Sequence, residues 1–508
     1  MRPVFYNQTA LHCPPHLRMV PAAALLALLC GITSGCVHPL GPGYLVEKQQ
    51  IEVQFFPASP QKIRVDATYQ LRNTGNQPLA SLDARLPGGR RLHVAAMQLT
   101  WDGKRLEVTP SPDTPRNSSV DLPQSWVVSA RHTLHLSYDI VSAAPEETGL
   151  SFAEDAFFLP SANWNAEFLP SRGLFGFGGE PPRKWELMVR VPPGFLVHTS
   201  GMSRKQARKG GEEIARSVQT PADHYPFVVA ARYTSAEIGD GKHRVFLWTR
   251  SQPDADSLRQ ASQEVARTTA VYDGMFGSRT TKKDAPLWIV ECPDTRGCLS
   301  TSSPVATLLL GEDAAQSTAE MVSADTLMVD LSAGTPRLVA TVAPSLAASW
   351  LGYGQNPGFY EQVPPLSLLP AFAAAIGREA LVGPAYRGEV IRRALRVIPG
   401  NSAAWNASGR PKEEDPGVVR AKSLLFFYAL QDRYGPEVFR KGVTHMLEAR
   451  RGRGFDISDL IASFEQETHQ NTAEFVRMWM KRPGVPDDFR AQYESKSTAE
   501  NSVKETFR

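Results

Sequence analysis

Between about residues 44 and 235, apolar side chains recur at every second position, which commits the first large unit of the chain to β-structure. Ile63, Val65, Ala67, Tyr69 and Leu71 alternate with Arg64, Asp66, Thr68, Gln70 and Arg72. Leu134, Leu136, Tyr138 and Ile140 repeat the pattern, as do Trp185, Leu187, Val189 and Val191. Successive side chains of a strand point to opposite faces, so these runs put one face on a core and the other in water. Asn73-Thr-Gly75, Pro87-Gly-Gly89 and Pro192-Pro-Gly194 punctuate them as turns. The pattern predicts an antiparallel, sandwich-like β domain. Trp164 is expected to pack at the junction with the next unit. His132 and His135, three apart, fall on opposite faces of a strand and read as surface and edge residues rather than metal ligands.

From about residue 253 the pattern changes. Leu258 to Phe276 reads as a helix ending at Gly277, Leu287 to Glu291 and Thr307 to Leu310 as short strands, and Arg337 to Trp350 as a helix despite Pro344. Val418 to Tyr434 closes at Gly435, and Pro436 opens the next helix. Asp456 with Asp459, and Asn471 with Glu474, have the spacing of helix N-terminal caps. Segment 399–417 is a polar loop and 487–508 a polar tail. The predicted fold class is therefore α+β and multidomain. A β-sandwich-like domain spans 44–235, and a second unit spans 245–486, mixed α/β at first and then mainly helical.

Residues 1–36 fall outside that plan. Arg2 and Arg18 precede a 14-residue apolar run, Met19 to Ile32, followed by Thr33-Ser34-Gly35-Cys36. A charged start, a short apolar middle and small residues make a secretory signal, and the run is too short for a membrane span of about 20 residues. Its end resembles a bacterial lipobox, although Thr33 stands where Leu is usual. That resemblance implies lipidation of Cys36 and an exported, membrane-anchored lipoprotein on an outer membrane or periplasmic face. The remaining pair outside the leader, Cys292 and Cys298, flanks Pro-Asp-Thr-Arg-Gly. In an oxidising compartment it reads either as a local disulfide or as two buried thiols. The net charge of +3 is spread with mixed signs, and no basic block suggests a nucleic-acid partner.

Several stretches, in the correct order, resemble the gluzincin zinc aminopeptidases, the membrane-alanyl-aminopeptidase family. Val342-Ala-Pro-Ser-Leu-Ala-Ala-Ser-Trp350-Leu-Gly352 is similar to the family's zinc helix, which carries His-Glu-x-x-His before its Trp. Ala371-Phe-Ala-Ala resembles its Gly-Phe-Ala-Ser run, Lys422-Ser-Leu-Leu its Lys-Gly-Ala-Leu helix, and Met478 to Pro486 its closing Trp and Pro-Gly-x-Pro. The resemblance implies a thermolysin-like second domain. It also implies where chemistry should sit, and those positions are degenerate. Two His at i and i+4 present both imidazoles to one zinc, but Pro344 and Ala348 stand there. The general-base Glu is replaced by Ser345. The third ligand, a Glu, corresponds to Ser367 by spacing or to Pro370 by local match. The transition-state Tyr corresponds to Arg420. The substrate-amine loop corresponds loosely to residues 297–304, where Ser302 and Ser303 remain as binding candidates and no acid is present.

A check independent of that correspondence is the absence of any of the 11 His between His243 and His445. Serine-triad chemistry also needs a His base, and no Gly-x-Ser-x-Gly elbow occurs. Glu312, Asp313, Glu361 and Glu379 read as solvated or salt-bridged surface acids. The expectation is a pseudoenzyme without zinc or another cofactor, binding a peptide or protein in the former groove. The alternative is a divergent metallopeptidase or other hydrolase with a rebuilt site.

Overall fold

The computed structural model describes residues 43–494 except 59–60, 89–91, 108, 111–116, 144, 146–149, 162, 169–181, 220–224, 278, 280–284, 295–297, 299–318, 324, 332–345, 348, 352–368, 399–415, 450–455 and 482–483. The β domain opens with β1 (Tyr44–Phe56), β2 (Lys62–Asn73), β3 (Leu79–Arg85) and β4 (Leu92–Trp101). It continues through β5 (Lys104–Arg105), β6 (Thr109–Pro110), β7 (Asn117–Trp126) and β8 (Arg131–Ala143). Then come β9 (Ser151–Ala153), β10 (Ala156–Leu159), β11 (Glu167–Phe168) and β12 (Trp185–Val191). The last strands are β13 (Leu196–Thr199), β14 (Met202–Lys209), β15 (Glu212–Gln219) and β16 (Val228–Ala231).

These strands form an eight-stranded sheet, β14-β15-β12-β1-β2-β8-β4-β5, and two four-stranded sheets, β13-β16-β10-β9 and β11-β3-β7-β6. The alternation seen in the sequence is the cause: Ile63, Val65, Ala67, Tyr69 and Leu71 of β2 are all buried, and each intervening residue is at least partly exposed. The apolar faces share one core with Trp101, Trp126 and Trp185. Two expectations are corrected. The domain is not wholly antiparallel, because β12 lies parallel to β1 with Ile51 opposite Leu187. The long excursion through β2 to β11 makes that return possible, since parallel neighbours need a crossover rather than a hairpin. Trp164, moreover, is fully buried in the β-domain core rather than at a junction; its indole donates to the Pro160 carbonyl, and the Tyr138 hydroxyl donates to the Trp164 carbonyl.

The second unit starts with a five-stranded sheet. Its members are β17 (Thr234–Glu237), β18 (Val245–Thr249), β19 (Leu287–Glu291), β20 (Ala319–Ser323) and β21 (Thr326–Val329), in the order β17-β18-β19-β21-β20. Helix α1 (Ala255–Phe276) connects β18 to β19, which pair in parallel. Asp254 caps its start by accepting from the Ser257 amide, and Gly277 ends it at φ 74°, a left-handed value that suits glycine. The helices that follow are α2 (Leu369–Val382), α3 (Ala385–Val397), α4 (Pro416–Ala449), α5 (Ile457–Thr468) and α6 (Thr472–Lys481). They share one continuous core with the underside of the sheet. The expected strand 307–310 lies outside the described residues.

A third, smaller cluster joins the two units. Phe158, Phe227 and Val229 meet Trp248, Val290 and Met328 across it. At its centre the His198 ring lies 4.5 Å from Trp288, and its Nε2 is 2.7 Å from the Thr326 hydroxyl.

Candidate functional site

The helix matched to the zinc helix is described at Leu346, Ala347 and Ser349 to Leu351, all helical and buried in the core of the second unit. Trp350 anchors it. Its indole donates to Asp273 Oδ1 at 3.0 Å, and its ring lies 5.3 Å from Tyr272 and 5.6 Å from His243. His243 Nε2 is 2.8 Å from Asp273 Oδ2, and Lys242 also donates to that carboxylate. Burial alone would raise the Asp273 carboxyl, but the bonds from Lys242, His243 and Trp350 outweigh it and hold the group below its ordinary value. Asp273 is thus a fixed anion that ties α1, the β17–β18 turn and the helix at 346–351 together.

Pro370 stands in the first turn of α2, where the missing N–H of proline costs no intrahelical bond. The next five residues, Ala371 to Ala375, are all buried, so α2 is apolar around its circumference and runs through the core. Gly377 lets α2 approach α1, because a Cβ there would meet the Tyr272 hydroxyl at 2.4 Å. Arg420 lies half-buried near the start of α4. Two residues on, Lys422 is fully buried and Ser423 donates to the Val419 carbonyl at 2.8 Å. A buried ammonium has to be paired or solvated internally. The available sequence signal for Lys422 is a Lys placed just ahead of the apolar run Leu424 to Tyr428.

Pro344, Ser345, Ala348, Ser367, Ser302, Ser303 and Cys36 lie outside the described residues, as do Glu312, Asp313 and Glu361. Cys292 and Cys298 are both buried, with free thiols in this structure. They pack in the small inter-unit cluster, where an apolar interior suits two uncharged thiols.

Glu379 is not the solvated acid the sequence suggested. It is half-buried on α2, burial raises its carboxyl while Arg387 opposes that, and its Oε2 is buried without a hydrogen-bond partner. Arg387 bonds Gln431 at 2.8 Å and also donates to Asp432, which accepts from Tyr493 at 2.6 Å. This cluster ties α3 to α4 and to the chain beyond residue 484. A shallow cavity of about 580 Å³ on the outer face of the eight-stranded sheet involves Glu52, Asp66, Thr68, His135, Glu186 and Arg216. Its acids are partly neutralised in place, Glu186 by Lys48 and Lys184 and Glu52 by Arg190. It is a solvated ladder of charges remote from the helix at 346–351. Among the described residues, no three His, Cys, Asp or Glu side chains converge as a metal-ligand set.

No protein-family model matches the sequence, and no curated protein matches it significantly. Solved structures do match the fold. The M1 zinc metallopeptidase of Deinococcus radiodurans superposes with a TM-score of 0.56 at 15% identity, covering 87% of this chain and 95% of that one. A two-domain M1 zinc metallopeptidase mutant bound to L-arginine gives a TM-score of 0.57 at 15% identity with the same coverage. A mutant of the Deinococcus enzyme bound to a Tyr-Ser-Ala substrate gives 0.55 at 14%, again over 87% of this chain and 95% of that one. The architecture, a β-rich N-terminal domain followed by a mixed and then helical domain, is that of these two-domain peptidases. The sequence resemblance matches Pro344, Ala348 and either Ser367 or Pro370 to the zinc ligands, and such residues would not suit a zinc ion. Pro344, Ala348 and Pro370 carry no donor atom in their side chains, and the helical pieces around 346–351 bury Leu346, Ala347, Trp350 and Leu351.

Proposed function

We propose that the protein is an exported, lipid-anchored, non-catalytic relative of the zinc aminopeptidases that holds a peptide or protein partner in the groove corresponding to their active site. The observation that supports this reading is the donor set. Zinc hydrolysis needs a Lewis acid to activate water, a general base to take its proton, and a donor for the tetrahedral oxyanion. The matched positions offer Pro344, Ala348 and either Ser367 or Pro370 for the metal, Ser345 for the base, and Arg420 in place of the Tyr. A serine hydroxyl does not deprotonate near neutral pH, and no single substitution repairs three losses. A concave surface that no longer cleaves still binds, because a fold and the chemistry placed on it are separable.

Arg420 gives the groove a preference. Its guanidinium is half-exposed and makes no ion pair with a described residue. A carboxylate ligand would meet it through paired, charge-assisted hydrogen bonds. The test uses a panel of aminoacyl fluorogenic substrates with added zinc, followed by peptide binding to the native chain and to Arg420→Ala. No turnover above the blank is expected, together with at least about a ten-fold loss of affinity for acidic peptides in Arg420→Ala. Zinc-dependent turnover overturns the non-catalytic reading. Unchanged binding removes Arg420 as the anchor.

A further inference from the structure

The turns after β2, β4 and β7 converge with the first described residues at one end of the β domain. Tyr44, at the start of β1, lies opposite Asn73, at the end of β2. The amides of Thr74 and Gly75 donate to the Gly43 carbonyl at 3.2 and 3.0 Å. Asn73 holds the β7–β8 turn in turn: its amide donates to Ala130, its carbonyl accepts from Ser129, and its side chain donates to the Trp126 carbonyl. The Tyr44 and Trp126 rings lie 5.7 Å apart, and Trp101, at the end of β4, is 5.2 Å from Trp126. This packed base makes the turn rigid.

The tip of that turn is Val127-Val128, 58% and 42% exposed. Isolated exposed apolar residues are ordinary on a protein surface. Here, of the five large exposed hydrophobics among the described residues, these are the adjacent pair, and they project from a turn instead of lying on a flat face. Pro78 is exposed beside them, and half-buried Leu79 pairs with Trp126. The surroundings are basic. Arg72, Arg131 and Arg183 surround Glu47, and Lys104 and Arg105 are exposed in the neighbouring β4–β5 hairpin beside Asp102. An apolar tip inside a cationic ring suits an anionic bilayer surface, where the ring meets phosphates and the tip enters the headgroup–acyl boundary.

The position of Cys36 makes the occupant specific. Gly43 follows it by seven positions, a reach of at most about 25 Å. An acyl chain on Cys36 therefore holds this end of the β domain, and no other, against the membrane. We propose that the Val127–Val128 turn and its basic rim form a second membrane contact, which docks the β domain onto anionic phospholipid next to the lipid anchor. This rests on the lipid-anchor reading for placement, while the turn's chemistry stands independently.

The test places an environment-sensitive fluorophore on Val127→Cys of the full chain, with Ala58→Cys, at an exposed position beyond the far end of β1, as the control site. Each is mixed with vesicles of phosphatidylethanolamine and phosphatidylglycerol carrying an acyl-chain quencher. The expected result is a blue shift and quenching at 127 and neither at 58, with Val128→Asp reducing vesicle partitioning of an unacylated Cys36→Ser chain about ten-fold. Intact mass separates the two ideas. Acylation at Cys36 with the 127 label remaining in water overturns the second contact and leaves the anchor. An unacylated chain whose 127 label still enters the bilayer removes the anchor and supports the contact. An unacylated chain with no insertion overturns both.

Discussion

His198 shows how one buried side chain couples the two units to pH. Burial holds its imidazole down at about 4, with Asp325 acting weakly in the opposite direction. In the unfolded chain the same group takes up a proton near pH 6.5. Between those values the unfolded state binds more protons than the folded one, so stability is flat above about pH 6.5 and falls as pH drops towards 4. The expected loss across that window is about 3 kcal/mol, read as a fall in urea midpoint, and His198→Gln should remove most of the slope while keeping a donor for Thr326. An unchanged slope would assign the acid sensitivity to other groups. None of this was legible in the sequence. Period-two patterning says which face of a strand is covered, but not that His198 on β13 is covered by Trp288 and Thr326, far away in the chain. Glu379 and Trp164 were misread for the same reason, since both depend on partners that local spacing does not reveal.

Elements with local signals were legible almost to the residue. Asp456 accepts from the amides of Ser458 and Asp459, and Asp459 accepts from the amide of Asp456, as the spacing required. Asn471 accepts from Glu474 at 3.1 Å. The chain leaves helical geometry at Gly435, φ 79°, and re-enters it at Pro436, so α4 is two helices meeting at the stop–start pair read from the sequence. Removing the reciprocal cap by Asp456→Ala is expected to destabilise the chain by about 1–2 kcal/mol. The check is urea unfolding followed by Trp479 fluorescence, and a change within error would mean α5 is held by packing of Leu460 and Phe464 alone. What remained hidden at this scale is pairing across long separations. The parallel partnership of β1 with β12 joins segments more than a hundred residues apart, and no turn chemistry announces it.

For the whole molecule, the peptidase architecture persists on a chain only about 15% identical to the structures it superposes on. A core specified by burial pattern tolerates that divergence, because it asks for hydrophobic residues of roughly suitable volume rather than particular ones. A metal site does not, because each ligand is a specific atom at a specific place. The order of a β-rich and then a mixed and helical part was accordingly readable from periodicity. That difference supplies the last prediction. A protein that binds zinc only when folded is stabilised by several kcal/mol at saturating metal, and chelation removes that stabilisation. On the proposed reading, with Pro344, Ala348 and either Ser367 or Pro370 at the matched positions, there is no such linkage to break. The melting temperature should therefore stay within about 1 °C in EDTA and in added zinc. The combined variant Pro344→His, Ser345→Glu, Ala348→His and Pro370→Glu should instead gain a zinc-dependent rise that EDTA reverses, since it supplies three ligands and a base at the matched positions. A fall of several degrees when EDTA is added to the native chain would mean that other side chains already hold a metal, and the non-catalytic reading would fall with it.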